Sequence, residues 1–318
     1  MHSALPTVSI IMPNWNGLDH LEDSLRSLAQ QTLRPLETIM VDNGSTDGSV
    51  EFVQRRYPWV SIIQLDHNTG FAVAVNRGIL AAKGEFLALL NNDTELSPTW
   101  LEVLVTALAE RKELGSVAGK MLNFFDRSFI DGAGDGITIA GSPYTRGYAE
   151  PDDGRFSSRE YVFGVCAGAA LIRGEVFNRI GMFDEDFISY FEDVDLAFRA
   201  QLAGYKSLYV PEAICYHKRG ATGNALATYP VRMQERNLTA YYIKDYPLML
   251  LLTKTPLIVA SRVRRIYRLM RAGMGRAMWH GFFEGLALIP RMLVKRREVQ
   301  KRRTVSLSYM KSFMRRRL

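Results

Sequence analysis

Four short apolar runs near the amino terminus each break off in a polar turn, and between them the apolar spacing switches to that of a helix. Val8 to Pro13 (VSIIMP), Glu37 to Val41, Val60 to Leu65 and Phe86 to Leu90 read as strands buried on both faces. Leu18, Leu21, Leu25 and Leu28 recur at helical spacing after the first run, and Val50, Phe52 and Val53 mark a helix after the second. A helix rich in small residues, Ala72 to Ala82, follows the third and is closed by Lys83 and Gly84. The alternation predicts an α/β fold, a mostly parallel Rossmann-like sheet flanked by helices, with right-handed crossovers. The polar turns then share one edge of the sheet, at the carboxyl ends of the strands, where open α/β sheets bind ligands. There is no GxGxxG and no GxxxxGK followed by Ser or Thr, which argues against a dinucleotide oxidoreductase or a P-loop phosphotransferase.

The turn after the fourth run, LLNNDTEL from Leu89 to Leu96, places two amides and a carboxylate at a strand end. Ser97 and Pro98 then read as the cap and first turn of a helix reaching Lys112. Asp42, at the second strand end, is a carboxylate able to accept from the imide N3–H of uracil or thymine. It leaves cytosine unmatched, and guanine also satisfies it. Trp15 can stack on a base or simply pack.

The stretch from Asn123 to Arg159 is rich in glycine, aspartate and serine and reads as a hairpin, a lid or a plain surface loop. Tyr161 to Arg173 returns to an apolar strand, with Gly164 and Gly168 allowing close approach of a ligand or another backbone. A cluster of acids follows: Phe183-Asp184-Glu185, then Glu192, Asp193 and Asp195 at the start of a helix carrying Leu196, Phe198, Arg199 and Leu202. The helix dipole favours carboxylates there, yet three exceed what a cap requires. Strands at Leu208 and Ile214 lead to CYHKRG and its His217.

PNWNG, VDNGSTDGS, NTGFAVAVNRGI and LLNNDTEL, in that order, resemble the amino-terminal half of family 2 glycosyltransferases of GT-A fold, and the Glu192-Asp193 pair and His217 resemble that family's later motifs. The resemblance implies that Asp42 meets the base of a nucleotide sugar and Asn91 the ribose. Asp93 would bind a divalent metal, Mg2+ or Mn2+, that clamps the diphosphate. Pro13, Trp15, Asn16, Asn68, Gly70, Asn76 and Asn92 complete the donor side. By the same correspondence Asp193 is the catalytic base and His217 a further metal ligand or diphosphate contact. Glu192 and Asp195 orient the helix start or the acceptor, and Gly168 stands on the acceptor side. Asn91 replaces an aspartate common among relatives, which removes one charge near the metal, and Glu95 is an uncertain contributor. QxxRW is absent; Gln234, Glu235, Arg236 and Asn237 occupy its place, with Arg236 reaching for the diphosphate.

From Lys254 onward the chain holds 18 of its 40 basic residues and only two of its 33 acidic ones, so a tail at +16 follows a body at −9. Apolar blocks there (PLMLLL, PLIVA, MWHGFFEGLALIP) alternate with arginines, a pattern for amphipathic helices on an anionic membrane surface. Residues 246–260, interrupted by Lys254 and two prolines, read as too short and broken to span a bilayer. Aromatics are not interleaved with the basic clusters, so nucleic acid is not the expected partner. Cys166 and Cys215 lie in apolar segments without metal-like spacing and read as reduced thiols. MHSALPTVSIIMP has no basic n-region, so no signal peptide is expected.

The sequence thus predicts a catalytic domain over residues 1–235, with a donor half to about residue 122, and a helical membrane-associating region over 236–318. The resemblance, closest to the rhamnosyltransferase branch, implies an inverting enzyme with dTDP-rhamnose as the first donor to test. Its acceptor would be a glycan, polyprenyl-linked, at the cytoplasmic face of the membrane. Alternatives are a UDP- or GDP-sugar transferase of capsule or exopolysaccharide assembly, or a silent nucleotide-sugar-binding scaffold.

Overall fold

A computed structural model describes residues 5–219 and 228–315. The amino-terminal half alternates as expected: β1 (Val8–Asn14), α1 (Leu18–Ala29), β2 (Glu37–Asp42), α2 (Ser49–Arg56), β3 (Val60–Gln64), α3 (Phe71–Ala81) and β4 (Phe86–Leu90). These strands are parallel in the order β4-β1-β2-β3, so the order reverses beside β1 and opens a crevice at its carboxyl end. Continuous apolar runs become central strands here because both faces are covered: Ile10, Ile11 and Met12 are wholly buried.

After β4 come β5 (Thr94–Leu96), α4 (Trp100–Ala109), β6 (Leu114–Asn123), β7 (Ile130–Gly132), β8 (Asp135–Thr138), β9 (Pro143–Thr145), β10 (Glu160–Val162) and β11 (Ala169–Arg173). Next are α5 (Gly174–Ile180), a 3-10 turn at Glu185–Phe187, α6 (Glu192–Leu202) and β12 (Lys206–His217). β11 enters antiparallel between β4 and β6, and β12 lies parallel to β6. The carboxyl-terminal part is α7 (Thr228–Asp245), α8 (Leu248–Arg271), α9 (Gly275–Ala287), α10 (Ile289–Lys301), α11 (Leu307–Ser312) and β13 (Met314–Arg315).

Several local expectations are corrected. Ser97 does not cap the next helix: Thr94–Leu96 is drawn into the sheet by β12, the chain turns afterwards, and α4 begins only at Trp100. Tyr161 to Arg173 is two strands rather than one, because residues 163–168 leave the sheet edge to cross toward α6. Of the readings open for 123–159, the hairpin is the one found: β8 pairs antiparallel with β9 and lies beside β13, and β7 joins β6. The two strands expected at Leu208 and Ile214 are one, β12, with a register shift between Val210 and Ile214. Pro256 does not break α8, which runs straight through it. No helix among the described residues is long and apolar enough to cross a membrane. Both cysteines are free thiols.

The position of α3 on the sheet depends on Gly78. A Cβ there would lie 2.4 Å from Ile11 Cγ2 and 3.3 Å from Val41 Cγ2, both on wholly buried strand residues. In an exposed helix Gly→Ala gains about 1 kcal/mol from propensity. Here overpacking, at about 1–3 kcal/mol, decides the sign. Gly78→Ala is expected to lower stability by about 1 kcal/mol in urea unfolding, and a more stable variant would show that α3 stands further from the sheet.

Candidate active site

The carboxyl ends of β1, β2 and β4 are tied together by Asn14, the last residue of β1. Its Nδ2 donates to Asp42 Oδ1 (3.0 Å) and to Ser45 Oγ (3.2 Å), and its Oδ1 accepts from Asn92 Nδ2 (2.6 Å). Gly17 is required beside them, since a Cβ there would lie 2.0 Å from Asn92 Nδ2. Asp42, only 2% exposed, also accepts the Ser45 N–H (3.0 Å), and Pro13 sits one residue before Asn14, in register with Val41. Asn16 adopts φ +47 and exchanges hydrogen bonds with Ser45 and Thr46, which leaves Trp15, 39% exposed, at the rim. Asn68 Oδ1 accepts from Asn43 Nδ2 (3.0 Å) and the Gly70 N–H (2.9 Å), fixing the turn before α3.

The second cluster comes from pairing between remote segments. β5 lies antiparallel on the end of β12 with Thr94 opposite His217, so His217 Nε2 comes 3.3 Å from Asp93 Oδ2. β7 adds Asp131, whose Oδ2 is 2.6 Å from His217 Nδ1 and whose Oδ1 is 2.6 Å from Arg219 Nε. Asp93 Oδ1 is buried and has no hydrogen-bond partner among the described residues. Burial would lower the basicity of His217, but its two carboxylate partners outweigh that and carry its pKa up to about 9. For Asp93, burial raises the pKa, yet the hydrogen bond and charge of His217 hold it below the ordinary value. Glu95 is paired with Arg127 (3.0 Å) instead. Gly220 of the His-x-x-Gly pattern lies outside the described residues.

The third cluster surrounds the amino end of α6. Asp193 is half-buried and accepts the N–H groups of Val194 (2.8 Å) and Ala167. Burial raises its pKa against those two donors. Buried Glu192 is pushed well up by burial and then by Asp193. Asp135, on β8, is pushed up to about 8 by burial and by the charge of Asp193. The segment Cys166–Gly168 joins this cluster to the Asn-Asn-Asp turn: Ala167 holds Asp193, and Gly168 O accepts the Asn91 N–H (2.8 Å). A Cβ on Gly168 would come within 3.2 Å of Asn91 Nδ2, so this close approach needs glycine.

Three expected contacts are placed elsewhere. Asp195 is fully buried and locked to Arg199 (2.6 Å) and Lys244, so it is no acceptor contact. Asn76 braces α3 against the next loop through Phe183 O (2.9 Å), Phe183 N–H (3.0 Å) and Glu185. Arg236 donates to Asp186 O (2.6 Å) and Asn237 Oδ1 (2.7 Å) rather than facing the Asn-Asn-Asp turn. A carboxylate or amide one turn into a helix reads alike in sequence whether it faces cleft or core. Asn14, Asp131 and Asp135 escaped the sequence reading; only Asn14 had a signal, its place inside PNWNG.

Polar strand ends on a GT-A sheet, with an acid–histidine pair on one side and a carboxylate at a helix start on the other, match the arrangement expected of a glycosyltransferase. The glycosyl transferase family 2 profile matches residues 9–181, and the chain belongs to that family. The profile of glycosyl transferase family group 2 also matches residues 152–293. The chain is similar to the N-acetylglucosaminyl-diphospho-decaprenol L-rhamnosyltransferase of Mycobacterium tuberculosis, with 31% identity over 72% of this chain and 81% of that protein. It is also 32% identical to the O-antigen biosynthesis protein RfbC of Myxococcus xanthus, over 69% of this chain and 18% of that one. Its fold is like that of a mannosyltransferase of Pyrobaculum calidifontis in complex with GDP-Man and Mn2+, at TM-score 0.57 and 17% identity over 94% and 88% of the chains. GalNAc-T7 with UDP, GalNAc and Mn2+ gives TM-score 0.58 and 18% identity over 76% of this chain and 50% of that chain.

The raised Asp135 pKa has a stability consequence. The folded chain keeps this proton up to about pH 8, whereas the unfolded chain releases it near the ordinary carboxylate value of 3.8, so rising pH across that window favours unfolding. Asp135→Asn is therefore expected to lose less stability than the unmodified chain between pH 5 and pH 8 in urea unfolding. Equal losses would mean that Asp135 titrates normally.

Proposed function

We propose that the enzyme moves a sugar, with inversion, from a nucleotide diphosphate donor to a lipid-linked glycan at an anionic membrane surface. The observation that carries this reading is the paired arrangement at one sheet edge: Asp93 with His217, and Asp193 held across the Cys166–Gly168 segment. The anomeric carbon–phosphate bond breaks with oxocarbenium character while the acceptor hydroxyl attacks the opposite face, so no protein nucleophile is needed. Asp193 takes the hydroxyl proton as general base, and its upward-shifted pKa makes it a better one. Asp42, which spends only one lone pair on each of Asn14 and Ser45, retains acceptor capacity for a base imide.

The residues at Asp93 fit a divalent cation. Asp93 has one buried oxygen, Oδ1, without a hydrogen-bond partner among the described residues, while its Oδ2 faces His217 Nε2; the other ring nitrogen is fixed by a second carboxylate, the outer-shell arrangement of metal-bound histidine. Among the described residues no three His, Cys, Asp or Glu side chains gather to enclose an ion. Mg2+ takes one or two protein carboxylates and completes its shell with phosphate and water, so it requires no such enclosure. If held by Asp93 and His217, which would give up a ring proton to it, such a cation would supply Lewis-acid neutralisation of the departing diphosphate. The donor most favoured is dTDP-rhamnose and the acceptor a polyprenyl-diphosphate glycan; the name of the mycobacterial relative supports the rhamnose and the polyprenyl-linked acceptor, and the thymine of the donor rests on the imide-accepting Asp42.

The membrane contact is supported by α8. Leu248, Met249, Leu252, Val259, Val263, Tyr267 and Met270 are each more than half exposed. At 3.6 residues per turn they fall within about 100° of arc. Exposed Arg264, Arg268 and Arg271 line one flank of that stripe, as on an interfacial helix.

Two outcomes check this reading. Asp193→Asn should still be stabilised thermally by dTDP-rhamnose with Mg2+ or Mn2+ but lose transfer by about 10²–10⁴-fold, and unchanged turnover would remove Asp193 from the mechanism. The triple variant Leu252→Glu, Val259→Glu, Val263→Glu should stay in the supernatant when the unmodified chain sediments with phosphatidylglycerol vesicles. Co-sedimentation of the variant would shift the lipid contact away from α8.

A further inference from the structure

The backbone that delivers Asp193 is strained. Ile188 (φ +62), Tyr190 (φ +67) and Phe191 (φ +70) all lie in the left-handed region, immediately before the Glu192-Asp193 pair, and none is glycine. Such a turn persists only where its surroundings over-determine it. One side chain does most of that. Asn237, fully buried on α7, aims its Nδ2 at the carbonyls of Phe187 (2.7 Å), Ser189 (2.9 Å) and Tyr190 (2.7 Å). Its Oδ1 is itself fixed by Arg236, which also caps Asp186 O. Resting on the base assignment above, we propose that Asn237 is a positioning residue for the transfer reaction: its carboxamide gathers the carbonyls of 187–190 and so aims Asp193.

The geometry separates this role from donor binding. The donor-side turn touches the same loop, through the Ala72 N–H on Ile188 O (3.0 Å) and the Phe71 N–H on Ser189 Oγ (3.3 Å). It also has bonds of its own, from Asn43 to Asn68 and to Gly70 O, which do not involve Asn237. Asp193, by contrast, follows a turn whose carbonyls at 187, 189 and 190 share no side-chain donor other than Asn237 among the described residues. Loss of the amide therefore reaches the base before it reaches the donor. Asn237 itself is backed by α9, whose Gly281 and Gly285 approach α7 so closely that a Cβ would lie 2.1 Å from Arg232 O and 2.7 Å from Arg236 O. The tail helices thus form the outer wall of the catalytic centre.

The test compares four full-length proteins in the transfer of rhamnose from dTDP-rhamnose to N-acetylglucosaminyl-diphospho-decaprenol: unmodified, Asn237→Ala, Asp193→Asn and Met292→Ala. Met292 is fully buried in the same carboxyl-terminal core, which includes Phe187, but its thioether donates no hydrogen bond to the turn carbonyls, so its truncation lowers stability while leaving those bonds in place. Asn237→Ala should lower kcat by about 10²-fold, as a base displaced by an ångström does, while donor KM stays within about threefold. Met292→Ala should keep its kcat at a temperature where both variants are folded. If Asn237→Ala does not fold, Asn237→Ser, which keeps one donor, should show an intermediate loss of kcat. Undiminished kcat in the Asn237 variants, or equal loss in Met292→Ala, would overturn the proposal. Full turnover in Asp193→Asn would instead sink the base assignment, a separate failure.

Discussion

Three residues of antiparallel pairing bring together the acid and the histidine of the candidate site. Leu96, Glu95 and Thr94 lie opposite Cys215, Tyr216 and His217, and only that register sets the imidazole against Asp93. A slip of one residue would turn every side chain of β5 to the other face. The register is prepared upstream. Along β12 the partner on β6 jumps from Gly119, opposite Val210, to Lys120, opposite Ile214, so residues 211–213 are extra. An odd insertion reverses the alternation and brings His217 round to the side of Asp93. Gly119 makes it possible, because a Cβ there would sit 1.8 Å from Ala213 O. Sheet topology, rather than any local motif, thus assembles the Asp93–His217–Asp131 group.

The opposite wall is governed by strain rather than register. Each left-handed non-glycine residue before α6 costs on the order of 1–3 kcal/mol, and Ile188 is β-branched, which adds to it. The compensating groups come from distant elements: Asn237 and Arg236 from α7, Ala72 from α3, and the ion pairs of Asp184 with Lys244 (2.7 Å) and Asp186 with Lys295 (2.7 Å). α7 crosses the residue 235/236 boundary expected from sequence and places side chains on both sides of it in contact with the rest of the chain. The catalytic loop and the tail helices therefore share one framework.

What the sequence disclosed follows from which interactions are local. The parallel strands were legible because burial on both faces writes a continuous apolar run, and Phe86–Leu90 was found to the residue. The Glu192-Asp193 helix start was legible because the dipole and the chemistry ask for the same residues. Asp131 and Asp135 were not, because they sit on strands of three and four residues, too short to show period two, in a segment that reads as a loop. Asp195 and Asn76 misled for the converse reason. Their residue types suit a cleft, and only packing shows that Asp195 neutralises Arg199 and Lys244 inside the core.

The charge asymmetry looks different once pairing is counted. Part of the tail's positive charge is spent inward: Arg262 and Arg265 meet buried Glu235, and Arg291 and Lys295 meet Asp184 and Asp186 beside the catalytic loop. Those ion pairs bridge acidic body and basic tail, so the asymmetry binds the two regions to each other before it acts on anything outside. Of the tail's exposed basic residues, Arg264, Arg268 and Arg271 flank the apolar stripe of α8, while Arg276, Arg297, Lys301, Arg302, Arg303, Lys311 and Arg315 face solvent elsewhere. Attraction to an anionic surface scales with the charges still exposed, at about 1 kcal/mol each near the headgroups. The formal +16 of the tail therefore overstates its pull on a membrane, and the apolar stripe must carry a larger share of any lipid contact than composition suggests.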